Sequence, residues 1–340
     1  MKAAIYHSPL KVTTEDVDKP TIGPDGILMR VRSCGICGSD LHMYKLGMFT
    51  EVLCRMSDSG LIPGHEFSGD VVEVGDKVQG LAVGDRVVAF ANGGMAEYVP
   101  IKPAWLGMNV HKVPESVPYN IAATLEPLAN SVHAVLKGNP AKGETAMVFG
   151  AGIIGLGVIQ CLKALELGIK KIIAVDVSEK RLNMARTVGA DDTINASTDD
   201  VMEKASDFAG TVPAGFGSAV EVPAVDIVYD CVGLIKDRPE PPVLQQAINV
   251  VRPGSGRIVV HGVFEAPVTL ELSMFVGKQT QIIGSFGMTP EDTLKAIELL
   301  ETKAVDREIL ISHEFPLDQA KEAFDAQTGV DTSIKVLLNV

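Results

Sequence analysis

No block of basic residues interrupts the acidic surplus of this 340-residue chain, which carries 30 Lys and Arg against 43 Asp and Glu, a net charge of −13. Nucleic acid and anionic membranes both need a positive footprint, so neither is expected as a partner. Long apolar runs are missing as well. The longest uncharged stretch, Thr145 to Leu162, is broken by Gly150, Gly152, Gly155 and Gly157 and is barely long enough to span a bilayer, so it reads as buried core. The amino terminus, Met1 to His7, has neither an apolar signal core nor an Arg-rich transit segment. Cysteine is sparse: five residues, odd in number and scattered, which excludes a disulfide framework. These absences imply a soluble protein of a reducing compartment, the cytoplasm.

What is present is a globular composition. Apolar residues make up 46% of the chain, and 340 residues is long for one hydrophobic core, so two domains are expected. The first 128 residues read as short β-branched strands, such as 27–31, 70–74 and 86–90, bounded by turn signals at Gly23-Pro24-Asp25-Gly26, Val74-Gly75-Asp76 and Val83-Gly84-Asp85. Helical periodicity is scarce there. From about 145 to 260 strand-like runs (146–149, 172–175, 226–229, 257–260) alternate with amphipathic helices, which implies a parallel sheet covered on both faces. Residues 211–223, rich in Gly, Pro and Ala, read as a loop or excursion. The run 238–242 is too rich in proline for a helix interior and is expected to lead into a helix starting near Val243. Two last helices are expected over 290–301 and 318–326.

The most informative feature is Gly64-His65-Glu66-Phe67-Ser68-Gly69, downstream of Cys34-Gly35-Ile36-Cys37-Gly38-Ser39-Asp40. It supplies a thiolate, an imidazole and a carboxylate, a donor set that suits zinc, a borderline-soft cation. Three protein ligands would leave one position open, the mark of a catalytic rather than a structural metal. A second motif, Gly150-Ala151-Gly152-Ile153-Ile154-Gly155, follows an expected strand and opens an expected helix, and Asp176 ends the next strand 21 positions beyond Gly155. That context turns a weak pattern into the dinucleotide-binding fingerprint. Gly150 permits the turn, Gly152 the approach of the pyrophosphate to the backbone and Gly155 close helix packing, while the helix N-terminus faces the phosphates. A carboxylate at Asp176 would accept from the ribose hydroxyls and repel a 2′-phosphate, favouring NAD over NADP. Arg181 is placed either near that ribose or on an exposed helix face. Cys231, Val232, Gly262 and Val263, which follow the strand-like runs at 226–229 and 257–260, are expected to bind the cofactor as well.

The segment from Gly64 through Gly69 to Gly75 and Val78 resembles the signature of the zinc-containing, medium-chain alcohol dehydrogenase family. The Cys34–Asp40 segment, the run Val83-Gly84-Asp85-Arg86-Val87 and Gly94-Met95-Ala96-Glu97-Tyr98 resemble the same family in the same order, so the resemblance covers essentially the whole chain. It implies an α/β protein: a doubly wound parallel Rossmann sheet plus a β-rich, GroES-like catalytic domain. The catalytic domain would comprise 1–128 and 286–340, with the NAD-binding domain, 129–285, inserted between. The resemblance further implies zinc at Cys37, His65 and Glu66, and a proton-passing hydroxyl at Ser39. It implies a relay histidine at His42, and at Asp40 a carboxylate that orients the zinc-bound imidazole. Glu126, in Leu125-Glu126-Pro127-Leu128, stands where the polyol branch has Glu and the ethanol-oxidising branch has Cys, and ligates the metal directly or through water. A homotetramer is implied by the same branch.

Two departures set limits. Phe90 to Met95 carries no cysteine where many members have four for a structural zinc, so one zinc per chain is expected. The long segment between Cys37 and His65, including residues 43–60, would border the substrate site and leaves the alcohol unspecified. Cys34 is read as packing beside the metal rather than as a ligand, Cys54 as a plain thiol and Cys161 as core. His133 either lines the cleft or is structural; His7, His111, His261 and His313 have no context that singles them out. The favoured activity is hydride transfer between a secondary alcohol or polyol and NAD. A zinc-free reductase like the quinone reductases, and an NAD-binding protein without turnover, stay open beside it.

Overall fold

The computed structural model describes residues 1–215, 218–235 and 241–340. It divides into two compact units. One comprises Met1–Pro127 and Thr293–Val340; the other is Leu128–Asp292. The chain re-enters the first unit inside the helix Pro290–Glu301.

The first unit is built on strands. A seven-stranded sheet runs in the order Ile311–Pro316, Lys335–Asn339, Ile27–Gly35, Glu66–Val74, Arg86–Ala89 and Val110–Lys112, with Tyr98–Ile101 also paired to Ile27–Gly35. A second sheet orders Lys11–Asp16, Lys2–Ser8, Gly60–Ile62 and Arg55–Ser57. Between them lies a core that includes Met29, Val31, Phe67, Val71, Val87 and Val336. Alternation is why these segments are strands: Val71 points inward while its neighbours Asp70 and Val72 are less buried or on the other face. The expected scarcity of helix has one exception that matters, the nine-residue helix Gly38–Leu46. Its inward face is Asp40, Met43 and Tyr44, spaced i, i+3, i+4. A carboxylate on the buried face hides that helix from an apolar-periodicity search.

The second unit contains six parallel strands in the order Asp192–Asn195, Lys171–Asp176, Thr145–Phe149, Ile227–Asp230, Arg257–Val260 and Gln281–Gly284. Numbered along the chain this is 3-2-1-4-5-6, the doubly wound arrangement expected from the sequence. Thr145–Phe149 is buried at every position because helices cover both faces, so it reads as a continuous apolar run rather than an alternating one. Sequence patterning missed the outer strands. Asp192–Asn195 and Gln281–Gly284 have only one or two apolar residues each, and edge strands need no more.

Two local expectations need correction. Residues 211–223 are not simply a loop: Thr211–Pro213 pairs antiparallel with Glu221–Pro223, and the prolines sit at the ends of the short ladder, where a missing N–H costs least. The last helix begins at Ala320 and is led by a 3-10 turn over Leu317–Gln319. The helix expected near Val243 spans Val243–Val250, with Pro242 as its N-cap; residues 238–240 of the proline-rich run lie outside the described residues. Lys278, buried, donates to the carbonyls of Ile248, Asn249 and Val251 at 3.0, 2.6 and 2.8 Å and closes the C-terminal end of that helix with a positive charge. Among the described residues, no helix is long and apolar enough to cross a membrane.

Candidate metal centre and dinucleotide site

The metal-ligating types meet in the first unit. Gly35 ends one strand and Glu66 begins its neighbour, and the two are paired in register. Cys37 is two residues past Gly35, at the N-cap of the helix Gly38–Leu46, and His65 immediately precedes Glu66. The turn presenting His65 needs glycine at 64. Its φ is 96°, and a Cβ there would stand 2.7 Å from Met95 Cγ and 2.8 Å from Cys34 Sγ. The Cys37 sulfur, a His65 nitrogen and a Glu66 carboxylate oxygen all lie within 4.8 Å of one another, the one such group of three among the described residues. Ligands arranged tetrahedrally around zinc stand about 3.3–3.8 Å apart, so small side-chain shifts suffice to close on the ion.

The electrostatics suit a cation. Burial pushes the Cys37 thiol up, Glu66 pushes it further and His65 pulls it back. Burial would by itself depress the His65 imidazole, but Asp40 and Cys37 overcome this and hold it well above its ordinary value. Asp40, fully buried, is raised by burial against the pull of His65. One of its oxygens accepts the Cys37 N–H at 2.9 Å; the other is 3.8 Å from His65 Nδ1, too far for a hydrogen bond. His65 Nδ1, Asp40 Oδ1 and Glu66 Oε1 are all buried without a hydrogen-bond partner. Two acids, a thiol and an imidazole confined together, with these atoms unsatisfied, fit a bound divalent cation.

The remaining residues of this group fall at different distances. Ser39 lies in the first turn of Gly38–Leu46, with His42 three positions on, along the same helix face. The His42 ring meets Phe49 edge-on, centroids 6.4 Å apart. Glu126 is half-buried at the start of the helix Leu125–Lys137 and outside the 4.8 Å group, yet its charge helps raise both Cys37 and His65. Cys34 is buried beside Gly64, its thiol pushed well up by burial and by the charges of Asp40 and Glu66. Sequence reasoning missed Lys335. It is fully buried, pairs with Glu66 Oε2 and donates to the Ile36 carbonyl at 2.9 Å. A lone charge inside the run Ile334-Lys335-Val336-Leu337-Leu338 was the available signal.

In the second unit the glycine turn joins Thr145–Phe149 to the helix Ile153–Ala164, with Gly152 as N-cap. Gly150 has φ 88°, and a Cβ on it would lie 2.7 Å from Val232 Cγ2. A Cβ on Gly155 would overlap the Gly150 carbonyl oxygen, whereas one on Gly152 would find nothing nearer than Arg181 Nη1 at 4.0 Å. Ile153 and Ile154 open the helix. The turn Cys231-Val232-Gly233 is fastened by Asp230, whose Oδ1 accepts the N–H groups of Val232 and Gly233 at 3.0 and 2.9 Å. That turn is pressed against Gly262 and Val263 so closely that no Cβ fits at 233 or 262. The glycine turn and Cys231-Val232 thus stand where the strand order reverses, at the carboxyl ends of Thr145–Phe149 and Ile227–Asp230, while Gly262 and Val263 follow Arg257–Val260 and Arg181 lies in the helix Glu179–Thr187.

Asp176 ends its strand as anticipated, but its carboxylate is heavily engaged. Oδ2 accepts from Ala151 N at 2.6 Å, and Oδ1 accepts from Val177 N and Ser178 N at 2.8 and 2.9 Å. A carboxylate offers about four lone-pair directions, so about one remains for a ligand. Sequence spacing cannot show that Asp176 also holds the glycine turn. His133 Nδ1 donates to Asp292 Oδ2 at 2.7 Å, which also receives the Thr289 N–H at 2.8 Å, so His133 serves a hydrogen-bonded helix start.

Comparison with known proteins extends this picture. The profile of the zinc-binding dehydrogenase family matches residues 154–302, and that of the alcohol dehydrogenase GroES-like domain matches residues 23–115. The chain is 31% identical to an erythritol/L-threitol dehydrogenase of Mycolicibacterium smegmatis, covering 99% of this chain and 97% of that one. It is 30% identical to the (R,R)-butanediol dehydrogenase of Bacillus subtilis, covering 99% of both. The crystal structure of 2R,3R-butanediol dehydrogenase from Bacillus subtilis superposes with a TM-score of 0.83 at 28% identity, over 100% of this chain and 99% of that one.

Proposed function

Because the chain belongs to the zinc-containing, medium-chain alcohol dehydrogenase family, we propose that it oxidises a secondary alcohol with a neighbouring polar group, a vicinal diol or polyol, and uses NAD. The observation that carries this reading is the sulfur, nitrogen and oxygen donors of Cys37, His65 and Glu66 within 4.8 Å, in a chain whose other unit has a dinucleotide fold. The names of the two relatives, both dehydrogenases of diols or polyols, support the substrate class. A panel of alcohols offered with NAD tests it. The expected result is NADH formation with diols and polyols, at efficiencies above those with ethanol. Efficiency that climbed along simple primary alcohols and vanished for diols would overturn it.

Cys37, His65 and Glu66 would hold one zinc, and Glu126 faces the same site with its charge. When bound, zinc supplies a Lewis acid that favours loss of the alcohol proton, and NAD supplies the hydride acceptor. Ser39 would accept the substrate's hydroxyl proton as it releases its own, and His42, one turn further along the helix, would carry that proton toward water. Asp40 fixes the Cys37 backbone and supplies the carboxylate toward which the free His65 N–H turns. In this reading residues 1–128 and 286–340 form the catalytic domain and 129–285 the NAD domain. The odd, scattered cysteines suit a cytoplasmic protein, and the polyol branch suggests a homotetramer.

NAD is preferred over NADP because a 2′-phosphate would meet the Asp176 carboxylate. Asp176→Ala removes that repulsion and the three backbone bonds together. Affinity for NAD should fall by about tenfold, while the NAD-to-NADP efficiency ratio moves toward one. A ratio unchanged in the variant would remove Asp176 from cofactor selection.

A further inference from the structure

Lys335 carries an inference beyond ligand identity. Three adjacent strands build its surroundings: Leu337 of Lys335–Asn339 pairs with Gly35, and Gly35 pairs with Glu66. Lys335, two residues before Leu337, therefore shares its face, and its side chain crosses over Gly35 to reach Glu66. The crossing is possible only over glycine. A Cβ at residue 35 would stand 2.6 Å from Lys335 Cε, 2.9 Å from Nζ, and would overlap Glu66 Oε2. Both partners are 0% exposed, and the ammonium is anchored a second time by the Ile36 carbonyl at 2.9 Å. Glu66 Oε1, in contrast, has no hydrogen-bond partner.

We infer that Lys335 is a positioning residue for the metal centre: it holds Glu66 by Oε2, so that the carboxylate offers Oε1 alone to the cation. The inference rests on Cys37, His65 and Glu66 being the ligands. Its consequence is electrostatic as well as geometric. The Cys37 thiolate and the carboxylates of Glu66, Asp40 and Glu126 all act on the site, and the buried ammonium offsets one of those charges, which makes the centre more favourable to an anionic form of the substrate. Without Lys335, Oε2 becomes a buried, unpaired anion, and the carboxylate turns both oxygens toward the metal.

The test uses the full chain loaded with cobalt, whose visible absorption reports the number and type of ligands. Lys335→Met and Lys335→Gln remove the charge, the second keeping a polar group that can still reach the Ile36 carbonyl; Lys335→Arg keeps the charge. Both neutral variants are expected to bind one cobalt, with visible absorption lowered at least about twofold as oxygen ligands are added, and to lose about 10- to 100-fold in turnover. Lys335→Arg should lie nearer wild type in both readouts. A folded neutral variant with wild-type spectrum and turnover overturns the inference, as does a spectrum altered equally in Lys335→Arg. Wild-type protein that took up no cobalt, or whose cobalt spectrum was indifferent to Cys37→Ala, would instead overturn the ligand assignment beneath it.

Discussion

Cys37→Ala should bring turnover down by about 1,000-fold or more while NAD affinity stays within about threefold of wild type. The magnitude follows from the several kcal/mol of charge stabilisation a bound metal supplies, about 4 kcal/mol corresponding to about three decades in rate. Of the three candidate ligands, Cys37 supplies the only sulfur, and it sits at the N-cap of the helix that presents Ser39 and His42. Alanine keeps the backbone N–H that Asp40 accepts at 2.9 Å, so the helix start should survive. The NAD fingerprint is in the other unit and does not share these residues. Elemental analysis provides an independent check: one zinc per wild-type chain, and well below one in the variant. Two tightly bound zincs in wild type would contradict the expected stoichiometry, and full turnover in a zinc-depleted variant would contradict the role of Cys37.

A pair of glycine substitutions in the second unit should separate folding from cofactor binding. Gly155→Ala places a methyl group onto the Gly150 carbonyl oxygen, and neither backbone segment can yield without moving the turn or the helix. Overpacking of this kind costs about 1–3 kcal/mol, and the displaced turn should lose most of its NAD affinity as well. Gly152→Ala is different. Its φ of −79° suits any residue, and the nearest atom to the added carbon is Arg181 Nη1 at 4.0 Å. Thermal stability should therefore change by less than about 1 kcal/mol, while NAD binding weakens about tenfold or more because the methyl group occupies the approach to the pyrophosphate. Calorimetry and NAD titration of the two variants measure both quantities. Wild-type affinity in Gly152→Ala would show that the cofactor does not lie against that turn.

Legibility in the sequence depended on how local each signal was. The fingerprint from Gly150 to Gly155 was readable because strand, turn and helix are consecutive, and the buried strand before it is apolar at nearly every position. Cys37, His65 and Glu66 were readable by type, and the pairing of Gly35 with Glu66 supplies the proximity that type alone cannot. The helix Gly38–Leu46 escaped because its inward face includes Asp40. Lys335 escaped because its meaning arises from a partner 269 residues away. The three backbone bonds that Asp176 accepts were equally invisible, since a spacing rule records where a carboxylate stands and not how many N–H groups already claim it.

The placement of Lys335–Asn339 beside Ile27–Gly35 has a consequence for synthesis. At roughly 5–20 residues per second, the interval between translation of Glu66 and of Lys335 is about 13–54 seconds. The second unit, continuous from Leu128 to Asp292, can complete its sheet on the ribosome during that time. The first cannot. The edge at Ser33, Cys34 and Gly35 stays unpaired until Leu337, Leu338 and Asn339 arrive, and Glu66 must remain hydrated because its ammonium partner does not yet exist. A nascent chain stalled in this interval would expose that edge to chaperones or to another chain, and metal loading at Glu66 in its buried form becomes a post-translational event.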